Sequence, residues 1–347
     1  MAKMKSALMM GPHKMEIGEK DIPSYGDEEV LVNVKHVGIC GADLEFFKDG
    51  AIGAWVLSYP HTLGHEPAGV VAEVGRNVKN VKPGDKVVIE PGKPCFKCPT
   101  CQKGLYNLCG EMRFMSVPGD AGAPGAFCEY VAWPSRLVYK LPDGVDTADA
   151  CLAEPLAVGV HSVEQSGIKF GQSAAVIGGG CIGLCTALVL KAQGISEIYV
   201  TDRHPGRIAK AKAIGVTEVL NDKEVDTVKA IKDICGGVDV VYECTGSQKA
   251  IDQAIPLLNR GGMLTLIGLF GAPKQQVDLN GLIFVEGSVT TNFRYRNNHP
   301  AAISAIASGT IPIRNIVSHR FPLEKLGEAL ELNLSNKDEV TKIVIEV

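Results

Sequence analysis

Apolar and polar residues alternate singly in the first part of the chain: Val30, Val32 and Val34 point one way, Leu31, Asn33 and Lys35 the other, in a strand pattern that runs to Gly38–Cys40. Gly69–Val74 and Lys86–Glu90 repeat the theme, with the turn chemistry Lys82-Pro83-Gly84-Asp85 between them. No helical period long enough to organise a domain precedes Cys151, so residues 1–150 predict a β-rich domain. After that point the period changes. Ala174–Ile177 reads as a short apolar strand, Ile182–Ala192 as a helix, Ile198–Thr201 as a strand and Pro205–Ala213 as a helix; Val238–Tyr242 and Met263–Ile267 continue the alternation. Strands alternating with helices at this spacing imply a doubly wound parallel sheet over 151–287. The pattern breaks around Ser288–Arg296, and the run Ile343-Val344-Ile345 reads as a strand. We read 288–347 as returning to the first domain, which makes the αβ unit an insertion.

Size agrees with two domains, because 347 residues exceed what one core usually serves. A composition of 46% hydrophobic and 21% charged residues describes an ordinary soluble globule, and the strand-helix alternation makes its class α/β. The net charge of −4, with basic residues scattered, argues against a nucleic-acid surface. Apolar runs are short and broken by glycine or charge, so no membrane span is expected.

The cysteines change the picture. Cys95, Cys98, Cys101 and Cys109 follow C-x2-C-x2-C-x7-C spacing in a turn-rich lobe, residues 91–110, that contains Pro91, Gly92, Pro94, Pro99 and Gly104. Short spacers let four thiolates converge on one tetrahedral zinc and leave no open position, so this site is expected to be structural. Disulfides or a buried thiol cluster are the bland alternatives, and a [4Fe–4S] cluster also takes four cysteines. The wider last gap differs from the C-x3-C-P close of ferredoxin-type runs and favours zinc. No secretory signal is visible, and the 11 cysteines have no pairing logic outside the lobe, so a cytoplasmic, reducing setting is expected.

A dinucleotide site is legible further on. Ala175-Val176-Ile177-Gly178-Gly179-Gly180-Cys181-Ile182-Gly183 is a strand running through G-x-G-x-x-G into a helix. Gly178 makes the tight turn, Gly180 admits the pyrophosphate and Gly183 lets helix and strand pack, while the helix N-terminus faces the phosphate charge. Asp202 ends the next strand, near the offset of about 20 residues expected for the ribose-binding acid. Its carboxylate predicts NAD over NADP, although Arg203 and Arg207 stand close enough in sequence to soften that choice. Glu243-Cys244-Thr245-Gly246 and Leu266-Ile267-Gly268-Leu269 follow apolar strands at the carboxyl ends where such sheets bind ligands, so Thr245, Ile267, Gly268 and Leu269 are further candidates.

The remaining chemistry lies in Gly38-Ile39-Cys40-Gly41-Ala42-Asp43 and Gly64-His65-Glu66. A lone cysteine after a strand is commonly a small buried hydrophobe, and a lone histidine a satisfied polar side chain. Beside a dinucleotide site and a closed zinc site they read together: Cys40, His65 and Glu66 offer sulfur, nitrogen and oxygen, and leave the open position of a catalytic zinc. Glu154, in Ala153-Glu154-Pro155-Leu156, is a carboxylate at the domain junction.

With these motifs the chain resembles the zinc-dependent medium-chain alcohol dehydrogenases, and among them the polyol dehydrogenases typified by sorbitol and xylitol dehydrogenases. The likeness spans Gly38–Asp43, Gly64–Glu66, the four-cysteine lobe, Gly178–Gly183, Asp202 and Phe293-Arg294-Tyr295. It implies a GroES-like β-rich catalytic domain with a Rossmann domain, two zinc ions per subunit and commonly a homotetramer. It further implies that Cys40, His65 and Glu66 bind the catalytic zinc, that Glu154 ligates it or holds its water, and that Asp43 orients His65. Ile182, Asp202, Arg207, Ile267–Leu269 and Phe293 would touch NAD, with Arg294 and Tyr295 on substrate hydroxyls. Three positions depart from the sorbitol-type pattern: Ala42 replaces a small hydroxyl residue, Glu45 a histidine and Phe46 a tyrosine. Without a hydroxyl at Ala42 the alcohol proton would leave through water and Glu154, and the altered donors around Phe46 would shift the preferred polyol.

The expected reaction is reversible oxidation of a secondary alcohol of a polyol to the ketose. Rivals within the class act on a simple secondary alcohol, a sugar or polyol phosphate, which Arg294 and Arg296 would suit, or an amino alcohol. The rival from another class is a non-enzymatic zinc and NAD binder acting as a redox sensor.

Overall fold

A computed structural model describes residues 2–119, 122–271 and 274–347. The chain divides into two compact units, one of residues 1–154, 299–309 and 317–347, the other of 155–298 and 310–316.

The first unit is built on the strand Glu29–Gly38, where the valine alternation buries Val30, Val32, Val34 and Val37. It pairs antiparallel with Glu66–Val74 on one side and with Ile343–Glu346 on the other, while Tyr130–Pro134 pairs with its first half. Lys86–Ile89, Val138–Lys140 and His319–Pro322 complete this seven-stranded sheet. The C-terminal strand Ile343–Glu346 lies in this sheet between Glu29–Gly38 and His319–Pro322. Register is what matters for function: Gly38 stands opposite Glu66 on one neighbour and Val344 on the other. The helix Gly41–Asp49 departs from the pattern-based reading. Its apolar positions are few, but Phe46 and Phe47 both enter the core, and Gly50 closes it in a left-handed conformation with φ of 68°.

The second unit holds six parallel strands in the order Glu218–Asn221, Glu197–Asp202, Ser173–Ile177, Val238–Glu243, Leu258–Leu266, Ser288–Thr291. The order runs outward in both directions from Ser173–Ile177. That reversal creates a switch point beside Val238–Glu243, the place where such sheets bind dinucleotides. Ser288–Thr291 is the sixth strand here, so the chain leaves this unit after Asn298, later than the break in pattern at 288 suggests. The physical reason is that an edge strand pairs through its backbone, and its half-exposed side chains leave no strong apolar signature. Among the described residues no helix is long and apolar enough to cross a membrane.

Candidate metal centres and dinucleotide site

Pairing of two strand ends builds the first cluster. Cys40 caps the helix Gly41–Asp49 just beyond Gly38, His65 immediately precedes the opposing strand and Glu66 opens it, so their donor atoms all lie within 4.8 Å of one another. A Cβ on Gly38 would stand 1.9 Å from Glu66 Oε2, so only glycine admits the carboxylate there.

Asp43 ties both segments together. Its carboxylate accepts the backbone N–H of Cys40 and that of Gly64, each at 3.0 Å, and its Oδ1 stands 3.6 Å from His65 Nδ1. Burial opposes charge on both Asp43 and His65. The pairing prevails: the His65 charge and the hydrogen bonds hold the Asp43 carboxyl below its usual range, while Asp43 and Cys40 hold His65 well above. Burial pushes the Cys40 thiol up, with His65 offsetting part of the effect, so a neighbouring cation is needed to keep a thiolate here. The donor set suits zinc.

Lys342 stands behind Glu66. The lysine is 2% exposed, its Nζ is 2.6 Å from Glu66 Oε1 and 2.5 Å from Oε2, and it also donates to the carbonyl of Ile39 at 2.8 Å. Only the Oε1 contact has hydrogen-bond geometry. A cation that ties the C-terminal segment to a candidate ligand belongs to no local sequence motif. Its one signal was a charge directly abutting Ile343-Val344-Ile345.

The lobe brings its four thiols together as the spacing predicts. Sγ separations are 3.6 Å for Cys95–Cys109 and 4.0 Å for Cys95–Cys101 and Cys98–Cys109. A tetrahedron with Zn–S bonds of about 2.3 Å has edges of about 3.8 Å, whereas a disulfide needs about 2.05 Å. Backbone N–H groups of Lys97 and Cys98 aim at Cys95 and bring its thiol down to about 7. Pro99–Gln102 forms one helical turn inside what reads as turns alone. The lobe is moored by Glu90, which accepts from Tyr106 at 2.7 Å and Tyr139 at 2.8 Å, while its carbonyl takes the Trp133 indole N–H at 2.8 Å. Spacing alone does not foretell those partners. Replacing Cys98 with Ala is expected to remove one zinc per subunit and more than about 2 kcal/mol of stability, read by metal analysis and urea unfolding. The Cys40 centre would keep its metal.

In the second unit the glycine motif joins the strand Ser173–Ile177 to the helix Cys181–Ala192. Gly178 has φ of 102°, Gly180 caps the helix Cys181–Ala192, and a Cβ on Gly183 would meet the Gly178 carbonyl at 1.8 Å. Asp202 is fixed at the end of its strand: Oδ2 accepts from Gly179 N at 2.7 Å, and Oδ1 accepts from Arg203 N at 2.7 Å and His204 N at 2.8 Å. Arg207 reaches within 3.9 Å of the same carboxylate. Ile182 lies in the first helical turn, and Thr245, Ile267, Gly268 and Leu269 sit at the carboxyl ends of the two strands beyond the switch point.

The remaining candidates separate by environment. Phe46 is 1% exposed in the core of the first unit, so it shapes the site through its helix and offers no open surface. Glu154 is buried in the first turn of Ala153–Ser166 and is not a member of the three-donor cluster. Arg294 adopts a left-handed φ of 55° with its guanidinium 4.8 Å from the centre of the Phe293 ring, and Asn292 donates to its carbonyl at 3.1 Å. Tyr295 is buried beside it.

A GroES-like sheet, a doubly wound nucleotide sheet and two cysteine-bearing donor clusters define a zinc-type oxidoreductase acting on CH–OH groups. The Alcohol dehydrogenase GroES-like domain matches residues 26–143 and the Zinc-binding dehydrogenase domain matches 181–308. Sorbitol dehydrogenase of Bacillus subtilis is 36% identical over 99% of this chain and 97% of its own. Among solved structures, an Escherichia coli oxidoreductase/dehydrogenase of unknown specificity superposes with a TM-score of 0.94 at 36% identity, covering 99% of both chains. A zinc-binding dehydrogenase from Sinorhizobium meliloti bound to NADP gives 0.92 at 30% identity over 100% of both. The chain belongs to the zinc-dependent medium-chain alcohol dehydrogenase family, on its polyol-dehydrogenase-like branch.

Proposed function

We propose that the chain catalyses the reversible, NAD-linked oxidation of a secondary hydroxyl of a polyol to the ketose. The observation that carries this is the Cys40, His65 and Glu66 cluster, three unlike donors preorganised by Asp43, in a chain whose second unit has the shape of a dinucleotide site. Zinc bound there would supply Lewis acidity to an alcohol oxygen, and nicotinamide would accept the hydride. The protein's part is placement. Cys40, His65 and Glu66 hold the cation, Asp43 fixes the imidazole, and Glu154, standing outside the three-donor set, receives the alcohol proton through water. Arg294 and Tyr295 bind neighbouring hydroxyls and so choose the carbon that reacts. The four lobe cysteines hold a second, structural zinc, which suits a cytoplasmic protein.

We take NAD as the cofactor because Asp202 is held in place by three N–H groups, where its carboxylate would accept ribose hydroxyls and oppose a 2′-phosphate. We also read the chain as a homo-oligomer, a tetramer by family likeness. Leu279, Ile283 and Phe284, 65–80% exposed next in sequence to the edge strand Ser288–Thr291, support such a contact.

The test is turnover with polyols, polyol phosphates, simple secondary alcohols and amino alcohols, each with NAD and with NADP. A polyol is expected to give the highest kcat/KM, with NAD preferred by at least about tenfold. Arg296 is already engaged with His161, at 3.4 Å, which weighs against a phosphate site. Turnover confined to a phosphate or an amino alcohol would overturn the substrate assignment, and no alcohol turnover at all would leave the redox-sensor reading.

A further inference from the structure

The strand Val238–Glu243 lies immediately across the switch point from Ser173–Ile177. Its last residue, Glu243, is wholly buried and has no cationic partner among the described residues. A buried carboxylate without a counter-charge is costly and persists only where dipoles are aimed at it. Here they are. Oε1 accepts Thr245 N at 2.7 Å, Thr245 Oγ1 at 2.5 Å and Gly246 N at 2.9 Å. The backbone carbonyl of the same residue accepts Ile267 N at 2.9 Å and Gly268 N at 3.1 Å. Oε2 is buried with no hydrogen-bond partner and faces Gly268, where a Cβ would stand 2.7 Å away. The two turns touch through backbone, since a Cβ on Gly246 would lie 2.0 Å from the Leu269 carbonyl.

We infer that Glu243 is the positioning residue for the nicotinamide half of the dinucleotide, its carboxylate fixing the turn at 245–246 against the turn at 267–268 that its backbone carbonyl holds. The inference rests on the dinucleotide reading above. In a doubly wound sheet the two mononucleotide halves lie on opposite sides of the switch point, and Asp202 occupies the other side. Glu243 thus acts on one half of the ligand and does so without touching it. Aspartate is a methylene too short for the same three bonds, and glutamine keeps them on its amide oxygen.

The experiment measures binding of NADH and of ADP-ribose, which lacks the nicotinamide, by calorimetry on wild type, Glu243→Ala and Glu243→Gln. Amide hydrogen exchange is followed on the same samples. Glu243→Ala is expected to weaken NADH at least tenfold while ADP-ribose stays within twofold. Exchange should quicken at Thr245 and Gly246, while Ile267, bonded to the backbone carbonyl, stays protected. Glu243→Gln should return NADH affinity to within threefold of wild type. Equal loss of both ligands, or loss of neither, overturns the inference. Wild type that binds neither ligand removes the dinucleotide reading itself, and this inference with it.

Discussion

Cys40→Ser is expected to lower kcat/KM by at least about a thousandfold while leaving one zinc per subunit in place. The magnitude follows from what the Cys40, His65 and Glu66 centre would supply: several kcal/mol of charge stabilisation at the alcohol oxygen, where each 1.36 kcal/mol is about tenfold in rate. Serine keeps the size of the side chain but lacks a thiolate, and nothing else within the three-donor set replaces the sulfur. The lobe cysteines belong to a different segment, so a zinc held there would be untouched. Steady-state kinetics together with metal content per subunit read both parts. Near-normal turnover from a one-zinc variant would show that the chemistry lies elsewhere.

Lys342→Met carries the second large effect, on stability. Methionine keeps most of the volume but leaves Glu66 as an uncompensated buried charge, a change that typically costs about 3–5 kcal/mol. It also removes the bond from Nζ to the carbonyl of Ile39. Urea unfolding of the metal-stripped protein is the measurement. The double variant Lys342→Met with Glu66→Leu should recover most of the loss, because an apolar pair of similar volume needs no partner. A loss below about 1 kcal/mol in the single variant, or no recovery in the double, would mean that the pair does not hold the C-terminal strand to the centre.

These two residues differ in how visible they are in the sequence. Cys40 announces itself through the Gly38–Asp43 motif, with His65 and Glu66 in a second one. Lys342 is a single charge before a strand, and only the pairing of Ile343–Glu346 with Glu29–Gly38 brings it to Glu66. Glu90 and Glu243 are similar cases. Each ends an apolar strand and reads as an ordinary turn acid, yet Glu90 collects Tyr106 and Tyr139 from separate segments, and Glu243 gathers two strand-end turns.

Local spacing encodes what one short segment does by itself. The four-cysteine knuckle, the glycine turn with Asp202, and the change from strand period to strand-helix alternation are all of that kind, because ligand convergence and turn geometry depend on a few consecutive residues. Tertiary structure decided the rest. That Gly38 faces Glu66, that the chain crosses back after Asn298, that Phe46 is core, and that Asp43 accepts from both Cys40 N and Gly64 N all depend on register between distant strands. Register is fixed by which apolar faces bury together, a property of pairs of segments that no single stretch of sequence contains.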